Sequence, residues 1–595
     1  MTMVRKRSCT MKKRSDMITN LFFRLLPVQI LLLAIGSINS VIDGVMASNF
    51  IGADAMTVTG LYMPLIKVAE TINVVLLGGS QILCGQFLGK NQVDRTRKVF
   101  SLDMILIVSV SVLFTLISLL FPMRLARAVG ADAQSAQGLR DYILGMAIGV
   151  LPQMLGMQLP AFLQLEQQQK RTYVGIGLMM LVNAALDYLF IVVLQMGMFG
   201  LGLSTSISYW AFFLVLGSYY FKKKAVIRFS PRGLNRSDLW SIIRIGIPGA
   251  ITTLCLSIRG FVLNALLLNA SGGEGVAALA TLNTFGGLLY AVSGGLAATT
   301  RLLVSVYAGE EDRDGIVRIM KTALYKGVPI VCGVALLTAC LAVPLTRAFF
   351  QDPGSSVFFL TKWLFRIYPL CMPLSAICVI FTNFNQSMAR MKIVHVLSVM
   401  DGLLGTCLAS LALAPLCGAI GVWIAHVLNG VFTTIAVVVY AILVRKRFPR
   451  STEDLIAIPD GFGVPDERRL SIPIRDAQAV TNASERIMAF CSARGIDRKH
   501  AYYAGLCMEE LAANITEHGF NDGKPHTAEI RVVQKDDGLL LRIKDDCRAF
   551  NPQEAMELMD PKDLTHNIGL RIVQRYAKKM YYNSALGLNV ITIEL

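Results

Sequence analysis

The residues best able to do chemistry in this chain stand where an apolar segment ought to exclude them. In the run LMMLVNAALDYLFIVVL, 178–194, Asn183 and Asp187 lie four residues apart. At helical pitch their side chains stack on one face, one turn from each other. An aspartate near the centre of a bilayer costs roughly 2.5–3.5 kcal/mol, so it needs a wet cavity, a partner or a proton. Asp43 poses the same problem in the first apolar run. A structural reading would bond these acids to a helix end or a kink; intramembrane acids default instead to function.

Composition sets the elements that must position them. The chain has 595 residues, 54% of them hydrophobic and 16% charged, against about 25% charged in ordinary soluble domains. The formal charge of +17 could suggest nucleic acid, but the basic residues cluster between long apolar segments, as membrane topology requires. No nucleic-acid partner is expected. None of the 12 cysteines forms a C-x-x-C pair, so they read as small buried hydrophobes.

Residues 1–20 form a basic leader, and apolar runs follow at 21–45, 55–83, 99–121, 138–162, 171–194 and 199–221. A second set falls at 241–269, 275–305, 323–346, 357–383, 393–415 and 419–444. Each is long enough to cross a hydrocarbon core that needs about 20 helical residues. Lys and Arg gather in the loops after even-numbered runs, for example Lys90, Arg95, Arg97 and Lys98, then Arg313, Arg318 and Lys321. Both termini are therefore expected on the cytoplasmic side of the cell membrane.

The apolar part is also duplicated. Pro27 and Asp43 are spaced as Pro248 and Asn264 are, and GMFGLGLSTS matches CGAIGVWIAH. The expected fold is an all-α polytopic membrane protein of twelve helices in two six-helix lobes, 21–221 and 241–445, joined by a loop over 222–240. In parallel-repeat transporters the substrate cavity lies between the lobes.

This layout, the first-run pattern PVQILLLAIGSINSVIDGVMASNFIGADAMTVTG and the GQFLGK end of the second run resemble the multidrug and toxic compound extrusion (MATE) transporters, over about residues 20–445. The resemblance implies alternating access and export of cationic or amphipathic small molecules in exchange for protons or sodium. In one branch the first lobe couples transport to the ion through an aspartate, an Asn-x-x-x-Asp pair and a threonine. Asp43, Asn183 with Asp187, and Thr205 occupy those positions here. Two carboxylates in a low-dielectric lobe cannot comfortably both ionise, so the pair would take up a proton; with Asn183 and Thr205 it could instead supply hard oxygen ligands to sodium. In the second lobe Asp401, Arg259 and Asn264 make a lesser polar set, and Lys67, Glu70, Arg301 and Gln86 are weaker cavity candidates.

After Arg447 the composition changes. Residues 446–470 hold Pro and Gly among charges and read as a linker. From 471 to 595 the order strand, helix, helix, two strands, helix, hairpin suits an α/β sandwich. CMEELAANITEHGF, IKDDCRAFNP and NIGLRIVQ resemble the N-box, adenine box and phosphate segment of the GHKL ATPase/kinase fold, closest to anti-sigma-factor serine/threonine kinases. The resemblance makes Glu510 a general base and Asn514 the magnesium holder. Asp545 and Phe550 belong to the adenine box, and Gly569 to the phosphate segment. Two departures stand out: Cys547 and Asn567 replace expected glycines. ATP with Mg2+ is the implied ligand.

The favoured reading is a secondary exporter whose cytosolic ATP-binding domain regulates or reports transport. The alternatives are a membrane-tethered sensor whose kinase-like domain phosphorylates a STAS-type anti-sigma antagonist, and a lipid-linked saccharide flippase.

Overall fold

The computed structural model describes residues 16–46, 50–52, 54–131, 135–221, 225–459, 461–521, 526–536, 538–548, 550–552 and 568–595. Eleven of its helices are long and apolar enough to cross a membrane, or up to 12 if the bent pair Ser135–Ala147 and Val150–Leu165 is one span. That pair bends by 52°, where the sequence reads as a single straight run. The first span is Asp16–Met46, the second Asp54–Gly89, the third Val93–Leu120, and the bent pair is the fourth. The fifth, Gln169–Asp187, continues into a π turn at Tyr188–Val193, and Gly197–Gly217 is the sixth.

Residues Arg236–Gly309 form the seventh and eighth spans, separated where Gly272 leaves helical geometry at φ 63°. Only glycine adopts that backbone without a steric penalty. The ninth runs from Arg313 to Cys340, the tenth from Ser356 to Ser387, the eleventh from Met391 to Cys417 and the twelfth from Ala419 to Arg445. The eleventh carries its own π turn, Met400–Leu404. Large apolar side chains such as Leu181, Leu214, Phe261 and Leu443 point outward along these helices, while Phe22, Phe162, Phe384 and Trp423 fill the interior. A protein that exposes this much apolar surface needs hydrocarbon around it.

The two lobes meet closely at the ends nearest the C-terminal domain. A Cβ on Gly246 would stand 1.8 Å from the carbonyl oxygen of Val75, and one on Gly79 2.0 Å from that of Ile242. Backbones of the second and seventh spans therefore touch with no side chain between them. Polar ties run across the same seam: Arg95 pairs with Asp238 at 3.1 Å, Arg301 Nε donates to Gln81 Oε1 at 2.9 Å, and Gln86 Nε2 donates to Ser387 O at 2.9 Å.

The segment read as a linker is a strap. Thr452–Ile456 is helical, and Leu455, Ile456, Ile458 and Phe462 join the apolar core of the membrane part. Arg390 donates to Ile456 O and Ala457 O at 3.0 and 2.9 Å, and Arg313 Nε to Glu453 Oε1 at 2.9 Å. The apolar residues among the charges explain the docking.

The C-terminal domain is a five-stranded antiparallel sheet in the order β1-β2-β3-β5-β4. Its strands are β1 Arg469–Ile474, β2 Ala528–Lys535, β3 Gly538–Asp545, β4 Lys579–Ala585 and β5 Leu588–Glu594. The helices are α1 Ala477–Ser492, α2 Arg498–Asn514 and α3 Ile568–Tyr576. Period-two alternation gives the sheet two faces. Ile530, Val532, Leu541, Ile543, Ile591 and Ile593 pack in one core with residues of α1 and α2. Their strand neighbours Arg531, Arg542, Lys544 and Thr592 are buried on the opposite face.

Candidate functional site

In the first lobe the first, fifth and sixth spans bring the expected polar residues together. Asp187 ends the α-helical part of the fifth span and is 0% exposed, as is Asn183 one turn earlier. Thr205 Oγ1 donates to Asp43 Oδ2 at 3.3 Å, and Ser204 Oγ donates to Asp187 Oδ1. The two carboxyl groups lie within hydrogen-bonding reach of each other, and among the described residues no cationic side chain acts on either.

Several buried atoms there have no partner among the described residues: Asp43 Oδ1, Asp187 Oδ2 and both amide atoms of Asn39, while the Asn183 amide stands close enough to act on Asp43. Asn39 is one turn before Asp43, as Asn183 is one turn before Asp187. A packed interior seldom leaves so many polar atoms unmatched unless something else binds them. A proton shared by the two free carboxyl oxygens would satisfy both. A monovalent cation would instead draw on carboxylate, amide and hydroxyl oxygens, the hard ligands such ions prefer. The π turn that begins at Tyr188 follows Asp187 directly, and such turns recur at functional sites.

The second lobe is built differently. Asp401 sits in the π turn of the eleventh span, where Asn429 Nδ2 donates to its Oδ1 at 3.0 Å. Arg259 Nη1 donates to its backbone carbonyl at 3.1 Å, and its charge acts on the carboxylate. This acid already has a cation. Asn264 is exposed on the seventh span and is not among the partners of Asp401. Of the weaker candidates, Lys67 pairs with Glu70 at 2.6 Å, while Arg301 and Gln86 are spent on the ties between lobes.

Sequence reading passed over Ser204, Asn39, Asn429 and Asp103. The first three are uncharged and raise no alarm in an apolar run. Asp103 does: it is 0% exposed in the third span with neither carboxylate oxygen bonded, and the rule that singled out Asp187 would have found it.

In the C-terminal domain Glu510 and Asn514 share one face of α2 and are half-buried. Asp545 ends β3 and is 3% exposed. Its Oδ1 accepts from Cys547 N at 3.0 Å and from Asn589 Nδ2 at 2.8 Å. Burial raises its carboxyl above the ordinary range, and these donors offset part of the effect. The end of the α2 segment reaches the same loop, since a Cβ on Gly519 would stand 2.8 Å from Cys547 Sγ. Phe550 is 53% exposed beside it, and Gly569 opens α3. Asn567 lies outside the described residues. Asp545 is thus held in one orientation by two donors at the end of β3, and α2, which carries Glu510 and Asn514, packs in the same core as that strand.

The sequence matches the MatE family over residues 30–189 and 248–411, one match in each lobe. It matches the histidine kinase-like ATPase domain over 473–595. A probable multidrug resistance protein NorM from Photorhabdus laumondii is 23% identical over 362 residues, 58% of this chain and 78% of that protein. A probable multidrug resistance protein YoeA from Bacillus subtilis is 22% identical over 288 residues, 47% of this chain and 62% of its own length. A crystal structure of a MATE protein in complex with MaL6 superposes with a TM-score of 0.66 at 20% identity, covering 70% of this chain and 94% of that one. An outward-facing multidrug resistance MATE transporter of the MOP superfamily gives the same TM-score of 0.66. The chain therefore belongs to the MATE family of multidrug efflux transporters and carries a histidine kinase-like ATPase domain at its C-terminal end.

Proposed function

We propose that the chain exports cationic or amphipathic small molecules in exchange for protons or sodium by alternating access. The coupling site is Asp43, Asn183, Asp187 and Thr205, joined by Ser204. The observation that carries this reading is the pair of adjacent carboxyl groups, one oxygen of each unpartnered and no cation beside them among the described residues. Ion binding neutralises the pair and releases a cationic substrate; loss of the ion restores the charge that attracts it. The domain-bearing face is the cytoplasmic one, which fits the basic residues Lys90, Arg95, Arg97, Arg313 and Arg390 gathered at that end. The lobes take the bounds 21–221 and 241–445.

In inside-out vesicles containing the full chain, a lumen high in protons or in sodium should drive accumulation of a cationic dye. If neither gradient does so, the proposal fails.

The C-terminal domain, 471–595, binds ATP with Mg2+ and regulates transport. Asp545 receives the adenine, Asn514 holds the metal and Glu510 stands as general base. Calorimetry on the full chain with ATP and Mg2+ should show binding, and Asp545→Asn should weaken it about 10- to 100-fold, the worth of one buried polar contact to a charged group. No heat with the unaltered chain would refute nucleotide binding.

A further inference from the structure

The outer face of the C-terminal sheet is not free surface. Arg531 meets Asp312 at 2.8 Å, Arg542 meets Glu310 at 3.6 Å, and Lys544 also pairs with Glu310. Arg469 meets Asp314 at 2.9 Å and Glu529 meets Arg318 at 3.4 Å. All these partners belong to the turn between the eighth and ninth spans and the start of the ninth, in the second lobe. The charges are deeply covered, with Arg531, Arg542 and Lys544 side chains at 9%, 6% and 8% exposure. Buried charge of this kind is tolerated only when paired.

The far edge of the same sheet reaches the first lobe. Asn583 Nδ2 on β4 donates to Leu88 O at 3.0 Å, at the end of the second span. The tip of the β4–β5 hairpin is Leu586–Gly587, both at positive φ, 59° and 86°. That is the backbone of a two-residue hairpin turn, in which Asn or Gly is usual and a branched apolar residue is strained. Leu586 is 1% exposed and belongs to the apolar core of the membrane part, and its N–H donates to Leu165 O at 2.8 Å. A Cβ on Gly587 would stand 2.9 Å from both Arg24 Nη2 and Gln167 Nε2. A strained leucine persists where the surroundings hold it. A cavity of about 510 Å³ lies between the pieces, lined by Lys90 and Gln92 of one lobe, Glu310 and Glu311 of the other, and Arg542 and Tyr581 of the sheet.

We propose that the β4–β5 hairpin is a latch: its Leu586 tip seats in the first lobe while β2 and β3 are anchored to the second, so the docked sheet holds the domain-bearing ends of both lobes together. This rests on the regulatory reading above and specifies how it works. Opening that face requires the two lobes to part, and one hydrogen-bonded sheet cannot follow both. Among the described residues the hairpin side carries two hydrogen bonds and the apolar contacts of Leu586, Leu588 and Val590, against five ion pairs on the second lobe, so the hairpin is the side that releases.

The nucleotide site is wired to it. Asn589, three residues beyond Leu586 on β5, donates to Asp545 Oδ1 and accepts from Tyr582 OH at 2.9 Å. A nucleotide engaging Asp545 acts on the hairpin through Asn589.

The test uses the full chain in liposomes, with two readouts: hydrogen exchange in the segments around Leu165 and Leu586, and gradient-driven dye flux. Leu586→Asp should raise exchange in both segments and raise flux about fivefold or more, the size of a typical coupling between sites. Asn583→Ala should do the same more weakly, which covers failure of the first variant to fold. ATP with Mg2+ should change the unaltered chain in the same direction and add nothing to Leu586→Asp. The latch is refuted if exchange shows the tip released while flux stays at the unaltered level or falls. If the variants behave as expected but ATP leaves the unaltered chain unchanged, the latch stands and nucleotide control of it fails.

Discussion

Asp187→Asn, and separately Asp43→Asn, is expected to reduce gradient-driven export to the level of empty liposomes while leaving the protein folded and inserted. The amide keeps the shape and most of the hydrogen-bonding capacity of the carboxyl group. At position 187 it can still accept from Ser204, and at position 43 from Thr205. What it cannot do is exchange a proton or present a negative charge. Since the two acids face each other without a cation, removing one also relieves the repulsion on the other, so a loss of stability is not expected. The decisive comparison is Asp401→Asn. That acid is already compensated by Arg259 and bonded to Asn429, so its removal should disturb the second lobe locally without abolishing ion dependence. Dye flux under proton and sodium gradients, with thermal stability in detergent as the folding control, separates these outcomes. Full ion-driven flux by either first-lobe variant would end the assignment.

Much of this was legible because the signals are large. An aspartate inside an apolar run is costly enough that Asp43 and Asp187 point at each other across 144 residues of sequence, and the duplication supplies the lobes. The C-terminal strands were equally plain, since Ile530 and Val532, then Leu541 and Ile543, alternate with Arg531 and Arg542. What sequence could not carry was anything set by approach between distant segments. Ser204 is an ordinary serine until the sixth span places it on Asp187. Arg531, Arg542 and Lys544 are, in sequence, only the polar half of an alternating strand pattern, and docking on Glu310 and Asp312 is what buries them. The segment 446–470 read as a linker because its Pro and Gly residues outweighed Leu455, Ile456, Ile458 and Phe462, which pack into the apolar core of the membrane part. The π turns leave no periodic trace at all, because one extra residue per turn alters nothing that composition records.

The second large effect is steric. Gly246→Val should prevent the domain-bearing ends of the lobes from closing. The added Cβ would lie 1.8 Å from Val75 O and 2.6 Å from Val75 C, both backbone atoms of the second span, so no side chain can swing aside. Overpacking of a well-packed contact costs roughly 1–3 kcal/mol even where side chains absorb it. At about 1.4 kcal/mol per tenfold, a cost of ~3 kcal/mol shifts the closed-to-open ratio on that face by about 100-fold. An exporter that cannot close this face cannot complete its cycle, so flux should fall about tenfold or more. Spin labels at Asp94, whose side chain is 88% exposed, and at Lys321 on the ninth span would report the separation directly. Their distance should lengthen in Gly246→Val. Gly60→Val is the matched control in the second span: its Cβ would meet nothing within 4 Å, so neither distance nor flux should change. Gly246→Val that transports normally at an unchanged distance would mean the close contact of the second and seventh spans is not the gate.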